Sequence, residues 1–82
     1  GEEFLILLPE TDPQQAEALA ERLRAKVAKH DFPGPERVTL SLGVAAFAGG
    51  EHHGHLLKRL DNALYAAKEA GRDRVVTAPP PA

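Results

Sequence analysis

The chain has 82 residues, of which 43% are hydrophobic and 27% charged, which is typical of one folded globular domain and argues against disorder. Its net charge of −2 argues against nucleic-acid binding, and the absence of cysteine excludes a disulfide framework or a thiolate metal site. No segment approaches the apolar length of a membrane span, so we expect a cytoplasmic domain without direct membrane contact.

The chain opens with GEEFLILLP, in which two glutamates directly precede an apolar run. The run predicts a strand over residues 3–8, and because it does not alternate, both faces of that strand should be covered. The residues alone leave two interpretations of Glu2 and Glu3 open. They are either solvated at the start of a strand, or presented by a turn to a metal ion or a proton.

The next element is an amphipathic helix that begins after Asp12. Asp12 is a good N-cap, Pro13 suits the first helical position, and Gln15 can complete a capping box. One apolar stripe repeats at helical spacing and comprises Ala16, Leu19, Ala20, Leu23 and Val27. The sequence FPGP at residues 32–35 ends the helix, because two prolines around a glycine cannot continue it.

A second strand is predicted over residues 38–47, VTLSLGVAAF, where apolar residues alternate. Gly43 lies on the small-sided face of this strand and indicates that another element approaches closely. Residues 48–55 are interpreted as a loop. That loop contains His52, His53 and His55, whose irregular spacing favours solvated side chains over a transition-metal site.

The last predicted elements are a helix and a short strand. The helix runs from about Leu56 to Ala70 and stops at Gly71. Its apolar stripe comprises Leu56, Leu57, Leu60, Leu64 and Ala67, and we expect Tyr65 to pack with its hydroxyl in water. A short strand is predicted over residues 74–77. Residues 78–82 are rich in proline and are expected to form an extended, loosely held tail. The order strand, helix, strand, helix, strand predicts an α/β fold with helices packed on a sheet.

Three segments together resemble the motifs of the GGDEF-domain family, the catalytic domains of bacterial diguanylate cyclases. They are GEEF at residues 1–4, TLSLGVA at residues 39–45 and DNALYAAKEAGRDRV at residues 61–75. The sequence departs from the family pattern at Leu60, where alanine is common, and at Asp73, where asparagine is common. The resemblance covers residues 1–77. It implies the C-terminal part of the domain, without the N-terminal half of the family fold.

The resemblance implies an α+β, palm-like fold similar to that of nucleotidyl cyclases, and a site that condenses two GTP molecules into cyclic di-GMP with Mg²⁺ or Mn²⁺. It assigns Glu2 as a metal ligand and Glu3 to metal binding or to deprotonation of the 3′-hydroxyl. Gly1 would leave room for the nucleotide, and Lys68 and Arg72 would contact the β- and γ-phosphates. The last two are also the cations that any helix C-terminus favours.

The partners implied by the resemblance are GTP and a second GGDEF domain in a homodimer, with no nucleic acid. The alternative is a degenerate member that binds GTP or a protein as a regulatory module without catalysis. We expect the 82-residue chain alone to be inactive. The family's guanine-reading residues, its product-inhibition motif and its other metal carboxylate would all lie upstream of Gly1. An RNA-binding sheet is disfavoured, because it requires a basic face and aromatic residues along its strands.

Overall fold

A computed structural model describes residues 12–35 and 37–80 of the chain. Its elements are α1 (Pro13–Lys29), β1 (Ser41–Val44), α2 (His53–Glu69) and β2 (Arg74–Thr77). The two strands are parallel, in a register from Ser41 opposite Arg74 to Val44 opposite Thr77. The predicted strand at residues 3–8 and the GEEF segment lie outside the described residues. An α/β arrangement of two helices and a parallel sheet is therefore observed, and the palm-like fold stays a prediction.

Helix α1 begins as its sequence predicts. The backbone N–H of Gln15 donates to the carboxylate of Asp12 at 2.8 Å, and the Gln15 side chain accepts from the Asp12 N–H at 3.4 Å. This reciprocal capping box satisfies two backbone donors that a helix start would otherwise leave unpaired. The helix ends at Lys29, and the N–H of His30 donates to the carbonyl of Val27. It stops before the FPGP sequence, as predicted.

The two helices cover opposite faces of the sheet. A Cβ atom placed on Gly43 would lie 2.7 Å from the backbone nitrogen of Leu64, so α2 packs directly on the face to which Gly43 points. The hydroxyl of Thr77 donates to the carboxylate of Glu17 at 2.7 Å, which places α1 on the face of Thr77. Thr77 pairs with Val44, the neighbour of Gly43, and neighbouring strand residues point to opposite faces. The predicted close approach at Gly43 and the packing of helices on a sheet are both confirmed.

The interior of the described chain consists almost entirely of small side chains. Its buried hydrophobic residues are Ala20, Val44, Ala63, Ala67 and Ala78, each at most 9% exposed. Ala67 is completely buried. Small side chains at these positions let helix backbones lie close to the strands, as the contact at Gly43 also shows.

Strand β1 is shorter than predicted. It covers Ser41–Val44 and not residues 38–47, because its partner strand among the described residues is β2, which has only four residues, Arg74–Thr77. At the two ends of the predicted strand, Val38 is 41% exposed and Phe47 is 51% exposed. An alternating pattern continues along the sequence, but strand structure extends only as far as a hydrogen-bonding partner does.

Helix α2 begins three residues earlier than predicted. The N-cap is His52, whose Nδ1 accepts from the backbone N–H of Gly54 at 3.0 Å, so the segment interpreted as a loop contains the first helical turn. Leu57 and Tyr65 were predicted to pack but are 46% and 65% exposed. The face of α2 toward β1 contains Ala63 instead, since its small side chain fits where the helix backbone meets Gly43.

The beginning of the predicted tail is fixed and not loose. The N–H of Ala78 donates to the carbonyl of Val44 at 2.6 Å, which continues the pairing of β2 with β1. The carbonyl of Pro79 accepts from Nη2 of Arg59 at 2.9 Å. Neither helix of the described chain combines the length and the apolar character that crossing a bilayer requires.

Candidate nucleotide-binding site

Helix α2 ends in a Schellman motif at Gly71. The N–H of Gly71 donates to the carbonyl of Lys68 at 3.3 Å, and the N–H of Arg72 donates to the carbonyl of Ala67 at 3.0 Å. The φ angle of Gly71 is 120°, in the region where glycine alone is unstrained. The stop predicted at Gly71 is therefore confirmed, and its geometry determines where the following residues lie.

The two residues after Gly71 also have left-handed backbone conformations. The φ angle is 63° at Arg72 and 49° at Asp73, which is uncommon for residues other than glycine. Nε of Arg74 donates to the carbonyl of Arg72 at 3.0 Å and closes the turn before β2 begins. Three successive residues with positive φ thus form a sharply defined turn between α2 and β2.

Lys68 and Arg72 lie at the same end of α2. Lys68 is half-buried in the last helical turn, and Arg72 is exposed immediately after the glycine stop. The other predicted site residues, Gly1, Glu2 and Glu3, lie outside the described residues. Binding of phosphate by Lys68 and Arg72 stays a prediction. Their common location at the C-terminal end of α2 is what that prediction requires.

A cluster of ionic side chains adjoins this turn and was missed by the sequence analysis. Nη1 of Arg24 lies 2.7 Å from Oδ1 of Asp73, and Nη2 of Arg37 lies 3.8 Å from Oδ2. Arg24 also contacts Glu21 at 2.6 Å, one helical turn earlier. The hydrogen bonds that Arg24 donates to Glu21 and to Asp73 raise the pKa of Arg24, and the hydrogen bond from Arg24 lowers the pKa of Glu21.

Only one contact of this cluster could have been predicted from the sequence. Glu21 and Arg24 are three residues apart on one helix, a spacing at which opposite charges meet. Arg24 and Asp73 are separated by 49 residues, and only the folded arrangement of α1 against the turn brings them together.

A second ionic cluster, also missed, surrounds Glu51. Its carboxylate accepts from Nη1 of Arg59 at 2.9 Å and from the backbone N–H of Ala48 at 3.1 Å, and lies 2.8 Å from Nδ1 of His55. Burial alone would raise the pKa of Glu51, but the Ala48 N–H and the Arg59 guanidinium lower it below its ordinary value. Arg59 also donates to the carbonyl of Ala46 at 3.0 Å. Through Arg59, this cluster joins the segment after β1, helix α2 and the start of the tail.

The three histidines of the predicted loop have separate roles. His52 caps α2, His53 packs its ring against Phe47 with centroids 5.5 Å apart, and His55 contacts Glu51. His53 and His55 lie within α2 and not in a solvated loop. Within residues 12–35 and 37–80, no three acidic or histidine side chains are arranged to hold a metal ion.

The resemblance to the GGDEF-domain family predicts a metal-binding role for Glu2 and Glu3. Carboxylate oxygens are the donors that Mg²⁺ and Mn²⁺ prefer, so the chemistry of this pair fits the implied ion. The geometry of the two glutamates lies outside the described part of the chain.

Comparison with known proteins finds matches to diguanylate cyclases over most of the sequence. The profile of the family described as "Diguanylate cyclase, GGDEF domain" matches residues 1–74. Diguanylate cyclase DgcM of Escherichia coli K12 is 50% identical over 78 residues, which cover 95% of this chain and 19% of that protein. Diguanylate cyclase DgcP of Pseudomonas aeruginosa is 47% identical over 81 residues, covering 95% of this chain and 12% of that protein.

A response regulator, PleD of Caulobacter vibrioides, is 44% identical over 82 residues, which cover 93% of this chain and 18% of that protein. The chain thus spans less than a fifth of the length of these curated relatives. No solved structure matches it. The profile match, the three motifs and the identity to these relatives agree, and the chain belongs to the GGDEF-domain family.

Proposed function

We propose that this chain is part of a diguanylate cyclase domain that condenses two GTP molecules into cyclic di-GMP. The observation that carries the proposal is the 50% identity to a diguanylate cyclase over 95% of the chain. The family-profile match over residues 1–74 includes the GEEF segment and the turn after α2. The retention of both Glu2 and Glu3 favours an active enzyme over a degenerate regulatory module.

Lys68 and Arg72 would bind the β- and γ-phosphates of GTP. A helix C-terminus carries partial negative charge, which opposes an anion unless cations outweigh it. In the turn after α2, the Schellman hydrogen bonds occupy the carbonyls of Ala67 and Lys68. These hydrogen bonds reduce the repulsion between the helix C-terminus and a bound anion. Arg72 is exposed, and its planar guanidinium suits bidentate contact with phosphate oxygens.

Glu2 and Glu3 would hold Mg²⁺ or Mn²⁺, which when bound neutralises phosphate charge. Glu3 would alternatively accept the proton of the attacking 3′-hydroxyl, and Gly1 would leave space beside the nucleotide. We further propose that two such domains form a homodimer, because the reaction joins two GTP molecules. Inactivity of the 82-residue chain alone and a cytoplasmic location both stay predictions from the sequence.

The test uses the full-length protein with Glu2→Gln and Glu3→Gln. Each substitution removes one negative charge with little change in shape, and each should abolish cyclic di-GMP synthesis. The matched control is Glu69→Gln, at an exposed glutamate in the last turn of α2, which should retain full activity. Circular dichroism would verify that all three variants are folded. Undiminished turnover in both the Glu2 and Glu3 variants would refute the assignment.

A further inference from the structure

Asp73 links helix α1 to the turn that carries Arg72. We propose that Asp73 and Arg24 are positioning residues, which hold Arg72 in the conformation that binds the triphosphate. This inference rests on the proposed function, because it assumes that Arg72 contacts phosphate. Neither Asp73 nor Arg24 is required to touch the nucleotide itself.

The first observation is the direct contact between the two side chains. Nη1 of Arg24 lies 2.7 Å from Oδ1 of Asp73, and the side chains are 21% and 30% exposed. A charge-assisted hydrogen bond of this length, partly removed from solvent, is stronger than an exposed ion pair. It fixes the side chain of the residue immediately after Arg72 to a helix on the opposite side of the sheet from α2.

The second observation is the backbone conformation of the same two residues. Arg72 and Asp73 both have positive φ, a conformation that an isolated chain would rarely maintain at successive residues other than glycine. Such a conformation persists only where surrounding contacts determine it. The Schellman hydrogen bond fixes the N–H of Arg72, and the pair with Arg24 fixes Asp73, so the backbone at Arg72 is held from both sides.

The consequence is that loss of the Arg24–Asp73 contact should release Arg72 while leaving α2 intact. The Schellman motif that ends α2 depends on Gly71 and does not involve Asp73. Lys68, whose carbonyl accepts one of the two hydrogen bonds of that motif, would therefore stay in place. We expect weaker binding of GTP with little change in the rate of the chemical step, because the residues assigned to that step are Glu2 and Glu3.

The experiment measures KM and kcat of the full-length enzyme for Asp73→Ala, Arg24→Ala and the double variant. Each single substitution should raise KM for GTP by on the order of threefold to tenfold with kcat nearly unchanged. The double variant should be no worse than either single one, because both remove the same contact. Arg22→Ala, at an exposed arginine on the same helix, is the matched control and should leave KM unchanged.

Asp73→Asn provides a conservative variant that retains the Oδ1 acceptor without the charge. It should give a KM between those of the parent and of Asp73→Ala, and it allows the same comparison if the alanine variant does not fold. An unchanged KM accompanied by a lower unfolding temperature would overturn the inference and leave a contact that only stabilises the fold. Additive effects in the double variant would overturn it as well.

Arg72→Ala separates this inference from the proposed function. If Arg72→Ala weakens GTP binding and the Asp73 and Arg24 variants do not, the positioning role is wrong and the phosphate contact stands. If Arg72→Ala itself leaves GTP binding unchanged, the proposed contact is wrong and the positioning role is wrong with it.

Discussion

The carboxylate of Glu51 and the guanidinium of Arg59 meet at 2.9 Å with side chains that are only 3% and 11% exposed. Arg59 also donates to the carbonyls of Ala46 and Pro79. One arginine therefore connects the segment after β1, helix α2 and the segment after β2. Nε of Arg59 is buried without an acceptor among the described residues. The Glu51 carboxylate is therefore the main group that stabilises the buried positive charge of Arg59.

Glu51→Ala should therefore destabilise the fold strongly. Removing one member of a buried pair leaves the other charge without its partner, which is far more damaging than loss of an exposed pair. We expect the midpoint of thermal unfolding to fall by on the order of 5 °C or more. Glu69→Ala, at an exposed helical glutamate, is the control and should change the midpoint little. Equal midpoints for the two variants would contradict this interpretation.

The same carboxylate should contribute to acid sensitivity. The pKa of Glu51 in the folded protein lies below its ordinary value of 4.5, because hydrogen bonds from Ala48 and Arg59 outweigh burial. The stabilisation is thus present above pH 4.5 and is lost as the pH falls through the lowered folded value. Glu51→Gln should show a shallower loss of stability in this acidic range, measured by urea unfolding at a series of pH values. Parallel profiles for the parent and the variant would exclude this contribution.

Gly43→Ala tests the close contact between β1 and α2. The added Cβ would lie 2.7 Å from the nitrogen of Leu64 and 2.9 Å from the oxygen of Leu60, both backbone atoms that cannot rotate away. We expect a loss of about 1–3 kcal/mol in the free energy of unfolding. Gly49→Ala is the matched control, because no atom lies within 4 Å of its Cβ position. A Gly43 variant as stable as the Gly49 variant would show that the helix can move away without penalty.

Lys68→Ala and Arg72→Ala in the full-length enzyme should weaken GTP binding with little effect on folding. Loss of a cation at a helix end removes about 0.3–1 kcal/mol of stability, whereas contacts to phosphate are charge-assisted and stronger. Isothermal titration with a non-hydrolysable GTP analogue would measure the affinity, and thermal unfolding would measure stability. If the affinity is retained and the unfolding temperature falls, these residues act only on the helix terminus.

Local structure was predictable where a few adjacent residues determine it. The capping box at Asp12 and Gln15, the stop at Gly71 and the close approach at Gly43 all depend on one backbone conformation or one missing side chain. The extent of β1 was not predictable, because it depends on how many residues β2 offers as partners.

Within the candidate site, the sequence predicted two cations at the end of α2 but not the side chains that contact Asp73 in the following turn. Nothing in the sequence around Arg24 indicates a partner 49 residues away. The prediction that Leu57 packs in the interior is wrong, because its side chain is exposed. Its position is one residue from the true contact face, which Leu56, Leu60, Ala63 and Ala67 follow at helical spacing.

The small interior described above has a consequence for how this domain can change over evolution. Alanine side chains have no rotatable χ angle and cannot rearrange to accommodate a bulkier neighbour. Replacement of Ala63 or Ala67 by a longer residue would therefore be absorbed as a displacement of the whole of α2 from the sheet. Lys68 and the turn with Arg72 would move with it. With the proposed role of Lys68 and Arg72 in phosphate binding, substitutions in the interior should consequently be limited by the affinity for GTP as well as by folding, even at positions that do not contact the nucleotide.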